Sequence, residues 1–291
     1  MPPVAVTGAQ GRLGRALVQA LANGGGRVVG WSRPDYDLDD SSAAARLLKR
    51  DQPRMVIHCA AWTDVDGCAR EPELAVRRNA EATGELARAA AARHIPFVLI
   101  STNEVFDGAR TDGQGYAEGD PVAPANPYGE SKLAGEHAAG AAYADAGARD
   151  ELWIVRTAWL FGPPGADFPS KILSASDRLP TGQALSVVTD EIGSPTYTPD
   201  LARAILALVD RAPADVYHLA APDHASRFDV ARHVLHRCRP GRSLRAITRH
   251  EFSRPSNPPP WGVLDTSRAA GHGVRLRPWQ TALDEYLSQL C

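Results

Sequence analysis

A tyrosine and a lysine stand four residues apart in Asn126-Pro127-Tyr128-Gly129-Glu130-Ser131-Lys132. Four residues make about one helical turn, so on a helix both side chains emerge on one face. An ammonium held beside a phenol favours the phenolate and draws its pKa down from about 10, toward the range of a working acid–base catalyst. Upstream, Ser101-Thr102 offers hydroxyls able to hydrogen-bond a carbonyl oxygen while Tyr128 gives it a proton. The chain opens with Thr7-Gly8-Ala9-Gln10-Gly11-Arg12-Leu13-Gly14, three glycines at G-x-x-G-x-x-G spacing. Glycines there permit a tight turn, let backbone approach a phosphate and let helix pack on strand. The helix N-terminus that follows presents free amides and a partial positive charge to a dinucleotide pyrophosphate. Together these residues read as a nicotinamide-dependent oxidoreductase that reduces a ketone, with Lys132 also holding the nicotinamide ribose.

Residues so far apart in the chain meet only if the fold brings strand ends to one edge. Apolar strand-like runs at 3–6, 27–31, 55–59, 97–101 and 152–157 alternate with helical patterns at 12–23, 41–50, 73–93 and 127–143. This order predicts an α/β protein with a Rossmann-like doubly wound parallel sheet covered on both faces. Right-handed crossovers then line up the loops after the strand C-termini, where ligands bind. After about residue 160 the pattern loosens. Gly162-Pro163-Pro164-Gly165 interrupts the chain, Gly193-Ser194-Pro195-Thr196-Tyr197 introduces a helix near 200–210, and 216–220 reads as a late strand. The proline-rich run 254–261 cannot be regular structure. The expected division is a dinucleotide-binding domain over 1–160, to which 196–222 returns, and a smaller interleaved substrate-binding region over 161–195 and 223–291.

Composition narrows the partners. The 291 residues are 44% apolar and 23% charged, as in an ordinary globular protein. A net charge of −2 and the lack of any Lys/Arg run leave no electrostatic footprint for nucleic acid. No apolar stretch approaches the ~18–20 residues of a membrane span, and no leader-like segment opens the chain, so a cytoplasmic protein is expected. Cys59, Cys68, Cys238 and Cys291 show no CxxC spacing and read as buried or incidental thiols rather than a disulfide or metal site. The second strand ends Trp31-Ser32-Arg33, where a hydroxyl and a guanidinium suit the 2'-phosphate of NADPH. Asp35, Asp37 and Asp39 nearby keep NADH open.

Several ordered stretches carry a resemblance. They are the Gly8–Gly14 loop, Cys59-Ala60-Ala61-Trp62-Thr63-Asp64-Val65-Asp66, Ser101-Thr102-Asn103-Glu104-Val105-Phe106-Asp107-Gly108 and Tyr128-Gly129-Glu130-Ser131-Lys132-Leu133-Ala134-Gly135-Glu136. Arg156-Thr157-Ala158-Trp159-Leu160-Phe161 and Gly193-Ser194-Pro195-Thr196-Tyr197 complete them. The chain resembles the extended short-chain dehydrogenase/reductases, and among them the dTDP-4-dehydrorhamnose reductases. The resemblance implies catalytic roles for Thr102, Tyr128 and Lys132. It implies cofactor contacts for Gly8, Gln10, Gly11, Arg12, Leu13, Ser32, Arg33, Asp37, Leu38, Ala60, Ala61, Thr63 and Ser101, with Asn79 steadying the loops. On the substrate side it implies Thr102, Asn103, Glu104, Val105, Phe106, Tyr128, Trp159, Arg254 and Asn257. Trp159 can stack a deoxysugar or simply pack in the core. Arg254 can pair with a diphosphate or sit in solvent. Homodimerisation is a family-level expectation, and no metal is implied.

The chain departs from the family in two places. The family usually reads Ser-Thr-Asp-Tyr-Val-Phe where this chain has Asn103 and Glu104. Thr-Asp-Glu at this place resembles nucleotide-sugar 4,6-dehydratases, but the amide of Asn103 has no proton suited to water elimination. Glu104 either meets the sugar or hydrogen-bonds neighbouring amides. The second departure is the proline run before Leu264-Asp265-Thr266-Ser267, which stiffens a loop that Trp261 can wall. The expected reaction is NAD(P)H-dependent reduction of the 4-keto group of a nucleotide-linked 6-deoxy sugar, foremost dTDP-4-dehydro-L-rhamnose to dTDP-L-rhamnose. The alternatives are a ketoreductase for another deoxysugar of secondary metabolism, and a non-catalytic nucleotide-binding subunit resembling the regulatory subunit of methionine adenosyltransferase.

Overall fold

Six short apolar segments pair side by side, all parallel: β1 (Val4–Thr7), β2 (Val28–Trp31), β3 (Met55–His58), β4 (Phe97–Thr102), β5 (Leu152–Thr157) and β6 (Val216–His218). A computed structural model describes residues 1–180 and 182–291 of the chain. Successive strand residues point to opposite faces. Val4, Val6, Val98 and Ile100 meet Leu17, Leu201 and Ile205 of helices Arg12–Asn23 and Thr198–Arg211. Ala5, Val56, Phe97 and Leu99 meet Leu47, Leu86 and Tyr143 of helices Ala43–Asp51, Ala82–Ala91 and Pro127–Asp145. Burial on both faces is why these strands read as continuous apolar runs.

The strand order is β2-β1-β3-β4-β5-β6. It reverses direction between β1 and β3, and in doubly wound sheets the crevice beyond the strand C-termini at such a reversal takes the ligand. The Gly8–Gly14 loop leaves β1 there, and the Ala60–Thr63 stretch leaves β3.

The helix expected over 73–93 is present over 72–91, with a π turn inside it and a short separate helix before it. The chain forms helices Val65–Arg70 and Pro72–Val76, a π turn at Arg77–Glu81, and then helix Ala82–Ala91. A π turn adds a residue to the helical ladder and shifts which side chains face inward. Asn79 lies in it and is 1% exposed.

A second core, including Phe161, Leu173, Tyr197, Val230, Val234, Trp279 and Leu283, joins helices Phe168–Arg178, Arg227–Cys238 and Trp279–Leu287. Strands Leu185–Val188 and Leu244–Ile247 pair in parallel beside it. The proline run is irregular except for its last residue, which begins the short strand Trp261–Gly262 alongside Ile192–Gly193. One expectation about the cysteines is corrected here. Cys238 and Cys291 form a disulfide, with Cα atoms 5.5 Å apart. Helix Trp279–Leu287 packs on helix Arg227–Cys238 and brings the chain end to the last residue of that helix, a meeting that spacing in sequence cannot reveal. Cys59 and Cys68 are free. Among the described residues, no helix is long and apolar enough to cross a membrane.

Candidate active site

A cleft of about 710 Å³ runs along the strand C-termini from the Gly-rich loop to the second core. Gly8, Gln10, Gly11, Arg12, Leu13, Ser32, Arg33, Asp37, Leu38, Ala60, Ala61, Thr63 and Ser101 line it. So do Thr102, Asn103, Glu104, Tyr128, Lys132 and Trp159. The structure does not bring Asn79, Val105, Phe106, Arg254 or Asn257 to its wall.

At the cofactor end the work is done by backbone. Gly8 has φ +60°, and a Cβ there would stand 3.0 Å from the Ala60 backbone. A Cβ on Gly14 would run into the carbonyl oxygen of Gly8. The Gly11 amide donates to that same oxygen (2.8 Å) and closes the turn. Gly11 caps helix Arg12–Asn23 without a side-chain hydrogen bond, so the first amides of the helix stay available to an anion. This cradle fits a dinucleotide pyrophosphate. Opposite it, the Thr7 hydroxyl oxygen accepts from the amides of Cys59 and Ala60 (3.0 Å each) and fixes the start of the second loop.

At the end of β2, Ser32 accepts from the Gln10 amide (3.2 Å) and Arg33 is exposed beside it. The neighbouring acids are largely engaged: Asp35 pairs with Arg50 (3.0 Å) and Asp39 with Arg78 (2.6 Å). That balance leaves this corner suited to a phosphate more than to bare ribose hydroxyls. Arg78, which no motif in the sequence marks, lines the cleft and lies 5.4 Å above the Trp62 ring.

Asn79 acts from behind. Its side-chain oxygen accepts from the Trp62 amide (2.7 Å), and its NH₂ donates to the Trp62 carbonyl and the Ser131 hydroxyl (3.0 Å each). It thereby ties the loop after β3 to the helix that carries Tyr128 and Lys132.

Thr102 ends β4, and its hydroxyl oxygen accepts from the Glu104 amide (3.2 Å). Asn126 caps helix Pro127–Asp145 by accepting from the Gly129 amide (2.9 Å), which sets Tyr128 in the first turn. Lys132 follows one turn later, 4% exposed, and donates to the Ile100 carbonyl (2.8 Å). Burial brings Lys132 down to about 8, against the opposing pull of Glu136 and Cys59. The Tyr128 phenol is pushed well above its usual value, by burial first and by the Glu104 carboxylate second, with Thr102 pulling it down. Both directions run against the expected lowering of the phenol pKa by Lys132. The Lys132 ammonium donates to the Ile100 carbonyl, and burial makes its proton easier to lose without discharging it near neutral pH. The Ser101 hydroxyl donates to Glu136, which forms a buried ion pair with Arg156 (2.7 Å) behind the strand end, so toward the cleft it can act only as an acceptor.

The substrate side differs more from expectation. The 3₁₀ turn Asn103–Val105 sends Val105 and Phe106 inward, where Phe106 stacks on Tyr116 at 4.4 Å. Arg254, half-buried, pairs with Asp66 (3.0 Å) and holds the proline loop to helix Val65–Arg70. The Asn257 side chain accepts from Arg249 (3.0 Å), while its carbonyl takes a hydrogen bond from Asn126 (3.3 Å). Asn126 also donates to the Glu104 carboxylate (2.7 Å). Burial raises the Glu104 pKa, opposed by Asn126, Arg227 and Arg254.

Trp159 has φ +45°, a backbone conformation that a bulky residue holds only under constraint. Gly193 packs against the ring-fusion atoms of its indole, where a Cβ would come within 2.6 Å. The Arg227 guanidinium lies 3.5 Å from the ring centroid. Arg227 was missed in the sequence, yet a signal existed. Ser226 and Asp229 form a capping box that places Arg227 at the first helical position, where a cation opposes the helix dipole.

Comparison with known proteins agrees with this geometry. The family model described as RmlD substrate binding domain matches residues 2–291. A dTDP-4-dehydrorhamnose reductase of Mycolicibacterium smegmatis is 39% identical over 288 residues, covering 97% of this chain and 84% of the relative. The crystal structure of a Clostridium acetobutylicum dTDP-4-dehydrorhamnose reductase is 32% identical and superposes with a TM-score of 0.90 over 99% of both chains. A Bacillus anthracis dTDP-4-dehydrorhamnose reductase, solved in complex with NADP, is 28% identical with the same TM-score of 0.90, again over 99% of both chains. With the glycine cradle and the Thr102–Tyr128–Lys132 set lining one cleft, the chain belongs to the dTDP-4-dehydrorhamnose reductase family.

Proposed function

We propose that this protein reduces the 4-keto group of a nucleotide-linked 6-deoxy sugar with NADPH, and that dTDP-4-dehydro-L-rhamnose, giving dTDP-L-rhamnose, is its best-fitting substrate. The observation that carries the proposal is the convergence of Thr102, Tyr128 and Lys132 in the cleft that opens on the Gly8–Gly14 cradle. The bound nicotinamide supplies hydride to the carbonyl carbon. The chain supplies the rest. Amides of the cradle hold the pyrophosphate, and Ser32 and Arg33 take the 2'-phosphate. The Thr102 hydroxyl orients the ketone oxygen, and Tyr128 gives that oxygen the proton that completes the alcohol. The raised phenol pKa keeps this proton in place until negative charge develops on the substrate oxygen. Lys132, rooted on the Ile100 carbonyl, keeps positive charge beside the ribose and stabilises the tyrosinate left after transfer. A cytoplasmic location goes with this dependence on NADPH and nucleotide-linked sugars.

The test follows NADPH absorbance with dTDP-4-dehydro-L-rhamnose. Tyr128→Phe is expected to lower kcat by about 10²–10⁴-fold, the usual range for a positioned proton donor, with little change in cofactor binding. Tight NADPH binding without oxidation by any 4-keto nucleotide sugar would instead mark a binding subunit.

A further inference from the structure

Two charged side chains, Glu104 and Arg227, line the substrate end of the cleft with no role in the proton and hydride steps, and Glu191 lies behind Arg227. Glu104 follows Thr102 by two residues, its amide donates to the Thr102 hydroxyl, and both residues line the cleft. One carboxylate oxygen is taken by Asn126 (2.7 Å), and among the described residues the other accepts no hydrogen bond. Arg227 lines the same cleft with its guanidinium lying over Trp159 (3.5 Å) and 5.0 Å from the Phe168 ring. Its Nε side faces the buried carboxylate of Glu191 at 3.6 Å. Glu104 and Arg227 feel each other's charge, yet among the described residues no ion pair joins them. Both line the cleft, one with a carboxylate oxygen and the other with guanidinium N–H groups not taken by a hydrogen bond among the described residues. Desolvating such groups without partners costs free energy, and only a ligand that offers both a donor and an acceptor satisfies the two together.

We infer that Glu104 and Arg227 form a specificity element that recognises a vicinal diol beside the keto carbon, so that the accepted sugar carries both of its remaining ring hydroxyls. A hydroxyl donates to the Glu104 carboxylate, and its neighbour accepts from the Arg227 guanidinium. Glu191 and the two aromatic rings hold that guanidinium in one pose. Trp159 contributes as the shelf under Arg227, because Gly193 and Arg227 already cover its indole. This inference rests on the reductase reading above and narrows its substrate class. A 2-deoxy or 3-deoxy analogue would leave one of the two groups dry and unpaired, the kind of mismatch that gives large discrimination.

The experiment compares kcat/KM for a dTDP-linked 4-keto-6-deoxy sugar bearing both hydroxyls with its 2-deoxy and 3-deoxy analogues, using NADPH, in wild type, Glu104→Leu and Arg227→Leu. Wild type is expected to prefer the diol by at least about 100-fold. Each Leu variant should lose most of that preference, chiefly through slower turnover of the diol. A merely structural role would slow all three sugars alike and leave the ratio untouched. Glu104→Gln keeps the side-chain shape if the Leu variant does not fold, and should cut the preference several-fold, since an amide accepts less strongly than a carboxylate. Equal wild-type turnover of diol and deoxy sugars, or a ratio that survives in the variants, overturns the inference alone. No turnover of any of these sugars overturns the reductase reading with it.

Discussion

The two ends of the cleft are built from different materials. At the cofactor end, the grip comes from backbone. Gly8, Gly11 and Gly14 bring a turn and a helix N-terminus against the Ala60 loop, and an added Cβ at Gly8 or Gly14 would collide with neighbouring backbone. At the substrate end, the wall comes from long charged and aromatic side chains of three separate segments, Glu104, Trp159 and Arg227, with Glu191 buried behind Arg227. Backbone recognition suits a ligand part common to a whole class of enzymes, because amides and a dipole read phosphate whatever follows it. Side-chain recognition changes with single substitutions, so it is where one reductase comes to differ from another in its sugar. The proposed catalytic set lies on the seam, and Asn79 joins the seam to the cofactor end.

That division can be broken at the seam first. Asn79→Ala removes three hydrogen bonds that register the Ala60–Thr63 loop to the tyrosine helix. Misplaced reacting groups are costly, and kcat/KM should fall by about 100-fold while the far-ultraviolet circular dichroism of the fold persists. Unchanged kinetics would mean that the two ends are positioned independently. A smaller effect is expected at the cofactor end. Arg33→Ala should lower kcat/KM with NADPH by about 10-fold, the worth of one charge-assisted contact, and leave NADH nearly unaffected. Equal losses with both cofactors would show that Arg33 does not read the 2'-phosphate.

The same division explains what was legible in the chain. Signals confined to a few neighbouring residues came through: the apolar runs of β1 to β5, the glycine spacing, and Tyr128 with Lys132 on one turn. The π turn was invisible because Arg77–Glu81 has ordinary helix-forming residues, and only the burial of Asn79 distinguishes it. Helix Phe168–Arg178 was passed over although Asp167 and Ser170 form a capping box ahead of it, since the Gly-Pro run before it masks the periodicity. Contacts across large separations were out of reach. Arg227 on Trp159, Arg254 on Asp66 and Cys238 on Cys291 all arise from packing of the second core or its loops. Val105 and Phe106 show the reverse error, a motif position taken for a contact although the local turn points it inward.

Lys132 sharpens the comparison with the smallest expected effect, because it is the buried cation of the proposed catalytic set. Its pKa is lowered from 10.5 to about 8, mainly by burial. Below about pH 8 the lysine is charged in both the folded and the unfolded chain, and the folded state bears the full cost of burying the ammonium. Between about 8 and 10.5 the folded chain has released the proton while the unfolded chain keeps it. The unfolded state then binds more protons, so this group's contribution to stability rises with pH across that window. Lys132→Met carries no charge and loses the hydrogen bond to Ile100 by an amount independent of pH. The difference in unfolding free energy between variant and wild type, measured in urea at pH 7, 8, 9 and 10, should therefore be most favourable to the variant at pH 7. It should shift steadily toward wild type above pH 8. A difference that stays flat across this range would mean that Lys132 keeps its proton in the folded enzyme. Positive charge would then remain fixed beside Tyr128 at every working pH.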